Sequence, residues 1–164
     1  MKRSLSNVFV GFLLIVIAGC GFQLRGAATL PDSLKTMYIQ GLSLKSGLGL
    51  ELKRGLIRND VTVVNHYQNG SAVLTILENK SERRVLSVDR TAKVSEYEIH
   101  NSVKFSVSDG QGQELSEAQT VEAQRDYQFD QDQVLGKDEE ERLLREQLDQ
   151  QLVQSILRRL SALK

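Results

Sequence analysis

Tryptophan is absent from the 164 residues, aromatics make up 5%, and there are only one cysteine, one proline and two histidines. Each shortage excludes something. A single thiol cannot close an internal disulfide, so the chain is not a disulfide scaffold. Neither His66 nor His100 has a partner at metal-ligand spacing, which leaves no histidine metal site. With Pro31 the only proline, the chain beyond it can run in long uninterrupted elements. Charge of one sign is also lacking: 21 basic residues face 21 acidic ones. That balance argues against a strong general attraction to nucleic acid, and none is expected as a partner. There is no internal repeat, no low-complexity segment, and no apolar stretch after the first twenty residues that could span a membrane.

The first twenty residues are another matter. Lys2 and Arg3 give a positive start, Val8 to Ala18 an apolar run, and Ala18-Gly19 two small residues before the lone Cys20. This is the plan of a secretory signal. At about eleven residues the apolar run falls short of the roughly 20 needed to cross a bilayer, which weighs against a transmembrane anchor. An ordinary signal peptide with Cys20 as a spectator would also fit. The small-small-Cys ending resembles the lipobox of bacterial lipoproteins, and that resemblance implies cleavage before Cys20 and a covalent lipid on it. With each buried lipid CH2 worth about 0.8 kcal/mol, two or more acyl chains make a stable membrane anchor. Removing Lys2 and Arg3 from the 21 basic residues leaves 19 against 21 acidic ones, a slightly acidic mature chain.

Residues 21–32 carry Gly21, Gly26 and Pro31 with little periodicity and read as a tether. Lys35 to Gln40 is a first strand. Leu44, Leu48, Leu52 and Leu56 recur every four residues, with Ile57 widening the stripe, and predict a helix that Ser43 or Ser46 could cap. Gly47, Gly49 and Gly55 work against it at about 1 kcal/mol each relative to alanine. Val61 to Val64 is a short strand. Three long strands follow in direct succession. Ser71 to Val88 has a polar middle, Glu78 to Arg84, where one face should be wet. Val94 to Val107 alternates: Tyr97, Ile99, Val103, Phe105 and Val107 share one face, and Glu96, Glu98, His100, Ser102, Lys104 and Ser106 the other. Asp109-Gly110-Gln111-Gly112 signals a hairpin turn, and Leu115 to Phe129 returns with Val121, Ala123, Tyr127 and Phe129 on one side. A last helix is predicted from Asp138 to Leu163, about 39 Å long at 1.5 Å per residue. Its stripe is Leu144, Leu148, Leu152, Ile156 and Leu160, broadened by Val153 and Leu157. Asp138 as cap and Glu141 three residues later make a capping-box pattern. The sum is an α+β domain: an antiparallel or mixed sheet with three long strands, and two amphipathic helices packed on one face.

No catalytic constellation emerges. Glu98, His100 and Ser102 alternate on a wet strand face, side by side, and no glycine-rich elbow presents the serine. Asp126, Asp130 and Asp132 have roughly calcium-loop spacing, but the loop's glycine and terminal glutamate are missing. No phosphate-cradling glycine motif occurs. The chain reads as a non-enzyme without a cofactor beyond the lipid on Cys20. A small hydrolase using His100 is the enzyme alternative.

The stretch Cys20-Gly21-Phe22-Gln23-Leu24-Arg25-Gly26 resembles the mature start of the lipopolysaccharide-assembly lipoprotein family LptE, also called RlpB. The likeness continues through Leu30-Pro31, Met37-Tyr38-Ile39, Ser95-Glu96-Tyr97 and the long terminal helix. It implies a lipoprotein signal peptide over 1–19, a lipidated tether over 20–32 and a single α+β domain over 33–164. It also implies a lipid-anchored plug on the periplasmic side of the outer membrane. The plug would assist assembly of the LptD β-barrel and insertion of lipopolysaccharide into the outer leaflet. By position in the family pattern, Arg90 and Lys137 are the expected lipopolysaccharide contacts, with Lys93 a weaker neighbour. Lipid A and the inner core are rich in phosphate, which basic residues at exposed tips would meet. Asp89 and Asp138 beside them would reduce the local positive field. The same charges could be mere solubilising ones. A generic periplasm-facing adaptor lipoprotein acting through protein contacts is the alternative function.

Overall fold

A computed structural model describes residues 30–129 and 134–163, with side chains from Asp138 onward in the second stretch. Cys20, the signal peptide and most of the tether lie outside the described residues. The folded domain starts earlier than position 33, however. Leu30 and Leu34 are both buried, flanking a single 3-10 turn at Asp32–Leu34. The end of the expected tether is therefore part of the core.

Strand β1 (Thr36–Gln40) leads to helix α1 (Gly47–Ile57), then β2 (Thr62–Val64), β3 (Ala72–Val88), β4 (Val94–Ser108), β5 (Glu114–Gln128) and helix α2 (Val134–Ser161). The sheet order is β2-β1-β3-β4-β5. β1 runs parallel to both β2 and β3, whereas β3, β4 and β5 form an antiparallel meander. The mixed character follows from connection length: α1 separates β1 from β2 and allows a parallel crossover, while short turns force antiparallel return.

One sheet face carries Met37, Ile39, Leu74, Ile76, Val103, Phe105, Val107 and Val121, all buried in the main core. Both helices close that face. Leu48, Leu52 and Leu56 of α1 and Leu152, Val153, Ile156, Leu157 and Leu160 of α2 complete the core. Gly55 shows why α1 tolerates a glycine: a Cβ there would stand 2.7 Å from Val153 Cγ1, so its absence lets the helices approach. Ile57 does not widen the stripe as expected. It is 52% exposed because the last turn of α1 carries it round to solvent. Leu44 precedes the helix and packs on the core from the loop.

Two further expectations change, at the start of α2 and along β3. Helix α2 starts at Val134, so Asp138 is not its cap and Lys137 lies within its first turns rather than before it. Asn101, a polar residue on the apolar side of β4, is buried, and its Oδ1 accepts a 2.7 Å hydrogen bond from Ser81 Oγ. β3 is exposed on both faces from Leu77 to Leu86, not on one. β1 pairs with it only from Ala72 to Thr75, and α2 lies over β4 and β5.

Candidate functional site

The turn between β3 and β4 is built by one carboxylate. Asp89 Oδ1 accepts hydrogen bonds from the Thr91 amide and hydroxyl, both at 2.7 Å, and from the Lys93 amide at 3.0 Å. The Asp89 amide donates to the Lys93 carbonyl at 2.7 Å, and that of Ala92 to the Asp89 carbonyl at 3.1 Å. The Thr91 hydroxyl, followed by the two loop amides, holds the Asp89 carboxyl below the usual carboxylate range. Asp89 thus spends its charge inside the turn. Arg90, Thr91 and Lys93 are left exposed at the tip.

The β4–β5 turn is constructed the same way, with Asp109 Oδ1 accepting from the Gln111 and Gln113 amides. The left-handed position is taken there by Gly112, at φ +82°, but in the β3–β4 turn by Ala92, at φ +60°. A side chain in that region is strained by about 1 kcal/mol. Ala92→Gly is therefore expected to raise stability by up to about 0.5 kcal/mol, the net gain after the entropy of glycine is counted. A thermal melt reads this directly, and a lower Tm would contradict the strain.

Below the tip lies an apolar collar. Val85, Leu86 and Val88 are 56%, 50% and 58% exposed. Their signal in the sequence is the run Val85-Leu86-Ser87-Val88 abutting a basic turn, which by itself reads only as strand. Their exposure continues that of β3 from Leu77 onward, and the pairing register shifts at this level, between Val85 and Val88.

An aromatic and ionic clasp supports the collar. The Tyr97 ring stacks on Tyr127 at 5.8 Å and meets Phe129 edge-on at 5.2 Å, and the Arg83 guanidinium caps Tyr97 at 4.6 Å. Tyr127 Oη donates to Glu141 Oε2 at 2.8 Å, and Arg83 Nη1 reaches the same oxygen at 3.1 Å. Arg145 donates to Glu141 Oε1 at 2.6 Å and also bonds Ser81. The expected capping role of Glu141 is thus replaced by a tie between α2 and the sheet. Burial, and next the bond to Glu141, push the Tyr127 hydroxyl up to about 12. Burial works to raise the Glu141 carboxyl, but the bonds from Arg145, Tyr127 and Arg83 outweigh it and hold it below the usual carboxylate range. A carboxyl lowered on folding stabilises above its unfolded pKa and loses that contribution as pH falls through the folded value. Acidification is therefore expected to free the first turns of α2 before the domain melts. Protection of the amides across Glu139–Arg145, with the intrinsic exchange rate divided out, should fall at acid pH, and Glu141→Gln should remove that fall. Protection that does not change with pH in the wild type would contradict the clasp.

The clasp brings the start of α2 to the same end of the sheet as the tip, and the Phe129 amide donates to the Ser95 carbonyl there at 2.9 Å. Arg90 and Lys93 are at that end. The backbone of Lys137 is in α2, with its side chain outside the described residues, as Cys20 is entirely. This end offers cations on a fixed turn beside exposed apolar side chains, a surface suited to an amphiphile with an anionic head. His100 is not at this end. Its Nε2 lies 3.8 Å from Glu122 Oε2, and among the described residues it bonds neither Glu98 nor Ser102. No group of three potential metal ligands gathers among the described residues. Asp126 is exposed, and Asp130 and Asp132 lie outside them. No described helix is long and apolar enough to cross a membrane.

Residues 34–160 match the family model LptE, described as lipopolysaccharide-assembly. An LPS-assembly lipoprotein LptE from Photorhabdus laumondii is 24% identical over 160 residues, spanning 98% of this chain and 87% of that protein. Among solved structures, a minor lipoprotein from Acinetobacter baumannii is 30% identical, with a TM-score of 0.68, over 80% of this chain and 94% of that one. Lipoprotein B from Nitrosomonas europaea is also 30% identical, with a TM-score of 0.71, over 87% and 91%.

Proposed function

The chain belongs to the LptE family of lipopolysaccharide-assembly lipoproteins, and from that premise we propose that it plugs an LptD-type β-barrel at the periplasmic side of the outer membrane. Members of the family are accessory lipoproteins of lipopolysaccharide assembly, not enzymes. In the proposed role the chain is held to the membrane by acyl chains on Cys20. It assists the barrel's assembly and takes part in delivering lipopolysaccharide to the outer leaflet. Arg90, Lys137 and, more weakly, Lys93 meet the phosphates of lipid A and the inner core.

The observation that carries this reading is the tip of the β3–β4 hairpin. Its Asp89 carboxylate is consumed by loop amides, so Arg90 and Lys93 are free to pair with anions supplied from outside. The apolar collar beside them suits acyl chains or the rim of a larger protein. The outer sheet face supports the plug reading as well. It carries Glu78, Lys80, Glu82, Arg84, Glu98, His100 and Lys104, and a polar barrel lumen accepts such a surface.

Purification from native membranes in mild detergent tests it. A barrel of LptD size should co-elute with the chain, and intact-mass analysis should find a lipidated Cys20 at the N-terminus. A lone monodisperse protein with an unmodified thiol would overturn the reading.

A further inference from the structure

Helix α2 rests on two separate floors. From Leu152 to Leu160 it sinks five apolar side chains into the main core, which α1 shares. Among its described side chains ahead of Asp149, only Leu148 is fully buried. That leucine sits in a second cluster with Ile99 and Tyr127, ringed by the partly buried Leu144, Tyr97 and Phe129. Among the described residues, no side chain of α1 belongs to this cluster.

A polar row divides the two floors. Ser81 and Asn101 are ladder partners, joined by the 2.7 Å bond between their side chains. From α2, Arg145 bonds Ser81, and Asp149 takes a hydrogen bond from Asn101. Burial pushes the Asp149 carboxyl above the usual carboxylate range in spite of that bond. α1 begins at the same level, since a Cβ on Gly47 would lie 3.9 Å from Asp149 Oδ2. Among the described apolar residues, Ala123 alone packs against both clusters. Lifting α2 ahead of the row therefore uncovers one fully buried leucine. Lifting it beyond the row uncovers five apolar side chains, each contributing about 1.5–3 kcal/mol when buried. Local opening follows the smaller loss.

The floor beneath the first half of α2 reaches the outside. Val85, Tyr97 and Tyr127 are partners in one row across three strands. The Val85 end is 56% exposed, whereas the Tyr127 end is buried and bonded to Glu141. Arg83 closes the passage between them, with its guanidinium over the Tyr97 ring and bonded to Glu141. Val85 is five residues from Arg90, roughly 15 Å at about 3.3 Å per residue. A medium-length acyl chain spans that distance when its anionic head is held at the tip. We propose that α2 from Asp138 to Leu148 is a strap that lifts from the sheet while the rest of the domain stays folded, and that the uncovered Val85–Tyr97–Tyr127 row takes an acyl chain of an amphiphile with a phosphate head. Arg83 and Glu141 are its latch. The choice of ligand rests on the proposed function; the strap does not.

Hydrogen exchange on the full-length chain in phosphatidylcholine vesicles tests it, with the intrinsic exchange rate divided out. Without ligand, amides of 142–148 should share one protection value, at least about tenfold below that of 152–160. Dodecyl phosphate should lower the protection of 142–148 further and leave 152–160 unchanged, because a bound chain holds the strap open. Inorganic phosphate, a head without a chain, should leave both stretches as they were. Val85→Asp puts a carboxylate at the open end of the row and should raise the dodecyl phosphate concentration needed at least about tenfold. Val85 is exposed, so the fold is expected to hold, and a melt checks this. Three results would overturn the proposal. Protection could be equal in the two stretches, or decline evenly toward the helix start as in simple fraying. Dodecyl phosphate could act no differently from inorganic phosphate. Or Val85→Asp could respond as the wild type does, which is also the result if the amphiphile merely disturbs the vesicle. Neither barrel nor lipopolysaccharide enters the measurement. Its failure leaves the barrel reading standing, and failed co-elution with a barrel leaves the strap standing.

Discussion

Leu152→Asp is expected to leave no folded domain. Leu152 is fully buried at the middle of α2, in the core shared by both helices and the sheet. Truncating such a leucine costs about 2–5 kcal/mol, and an unpaired carboxylate in its place adds several more. The sum approaches or exceeds the whole stability of an ordinary domain, about 5–15 kcal/mol. Circular dichroism should show lost helix and no cooperative melt. A folded Leu152→Asp protein would mean that the core is elsewhere. Ile57→Asp makes the contrast: the same change on the solvent side of α1 should shift stability by no more than about 0.5 kcal/mol.

The second large effect is expected on binding. Under the proposed function, Arg90→Asp combined with Lys137→Asp should lower affinity for lipopolysaccharide at least about 100-fold, since two charge-assisted contacts are together worth about 3–6 kcal/mol. Stability should hold, because Arg90 is exposed at a turn fastened by Asp89 rather than by its own side chain. Lys93→Asp should do less, since Lys93 is the weaker neighbour of Arg90 in the proposed site. Binding in detergent titrations should also weaken with salt, as phosphate contacts at an exposed tip do. Unchanged affinity in the double variant would remove these positions from the binding surface, with the fold intact.

The terminal helix was legible because period and burial agree. Leu148, Leu152, Ile156 and Leu160 recur at four-residue spacing and all four are buried. β4 was legible for the same reason, with strict alternation from Ile99 to Val107. What escaped the sequence is what depends on distant partners. Alternation along β4 puts Asn101 on the core side, but its hydrogen-bond partner, Ser81, comes from across the ladder. Glu141 fits a local capping box, yet Tyr127 and Arg83 from the sheet claim it. The parallel pairing of β1 has no local signature at all. Nor does the shortness of its contact with β3, which leaves the edge of β3 open beyond Thr75. Of the candidate site, the basic residues of the tip could be named from sequence. The apolar collar could not be recognised as exposed, because its exposure depends on α2 lying over β4 and β5 rather than over this end of β3.

The two ends of the meander differ in stiffness. At the β4–β5 turn a Cβ on Gly110 would stand 2.2 Å from the Gly70 carbonyl, so that turn is wedged against the chain leading into β3. From Glu78 to Val88 the opposite end projects beyond β1 for roughly 35 Å, at about 3.3 Å per residue. The meander is therefore a cantilever, clamped at the Gly110 end and loaded at Arg90. A force on the tip is transmitted as a bending moment along hydrogen-bonded strands to the clamp, with the Glu141 clasp as the strut on the way.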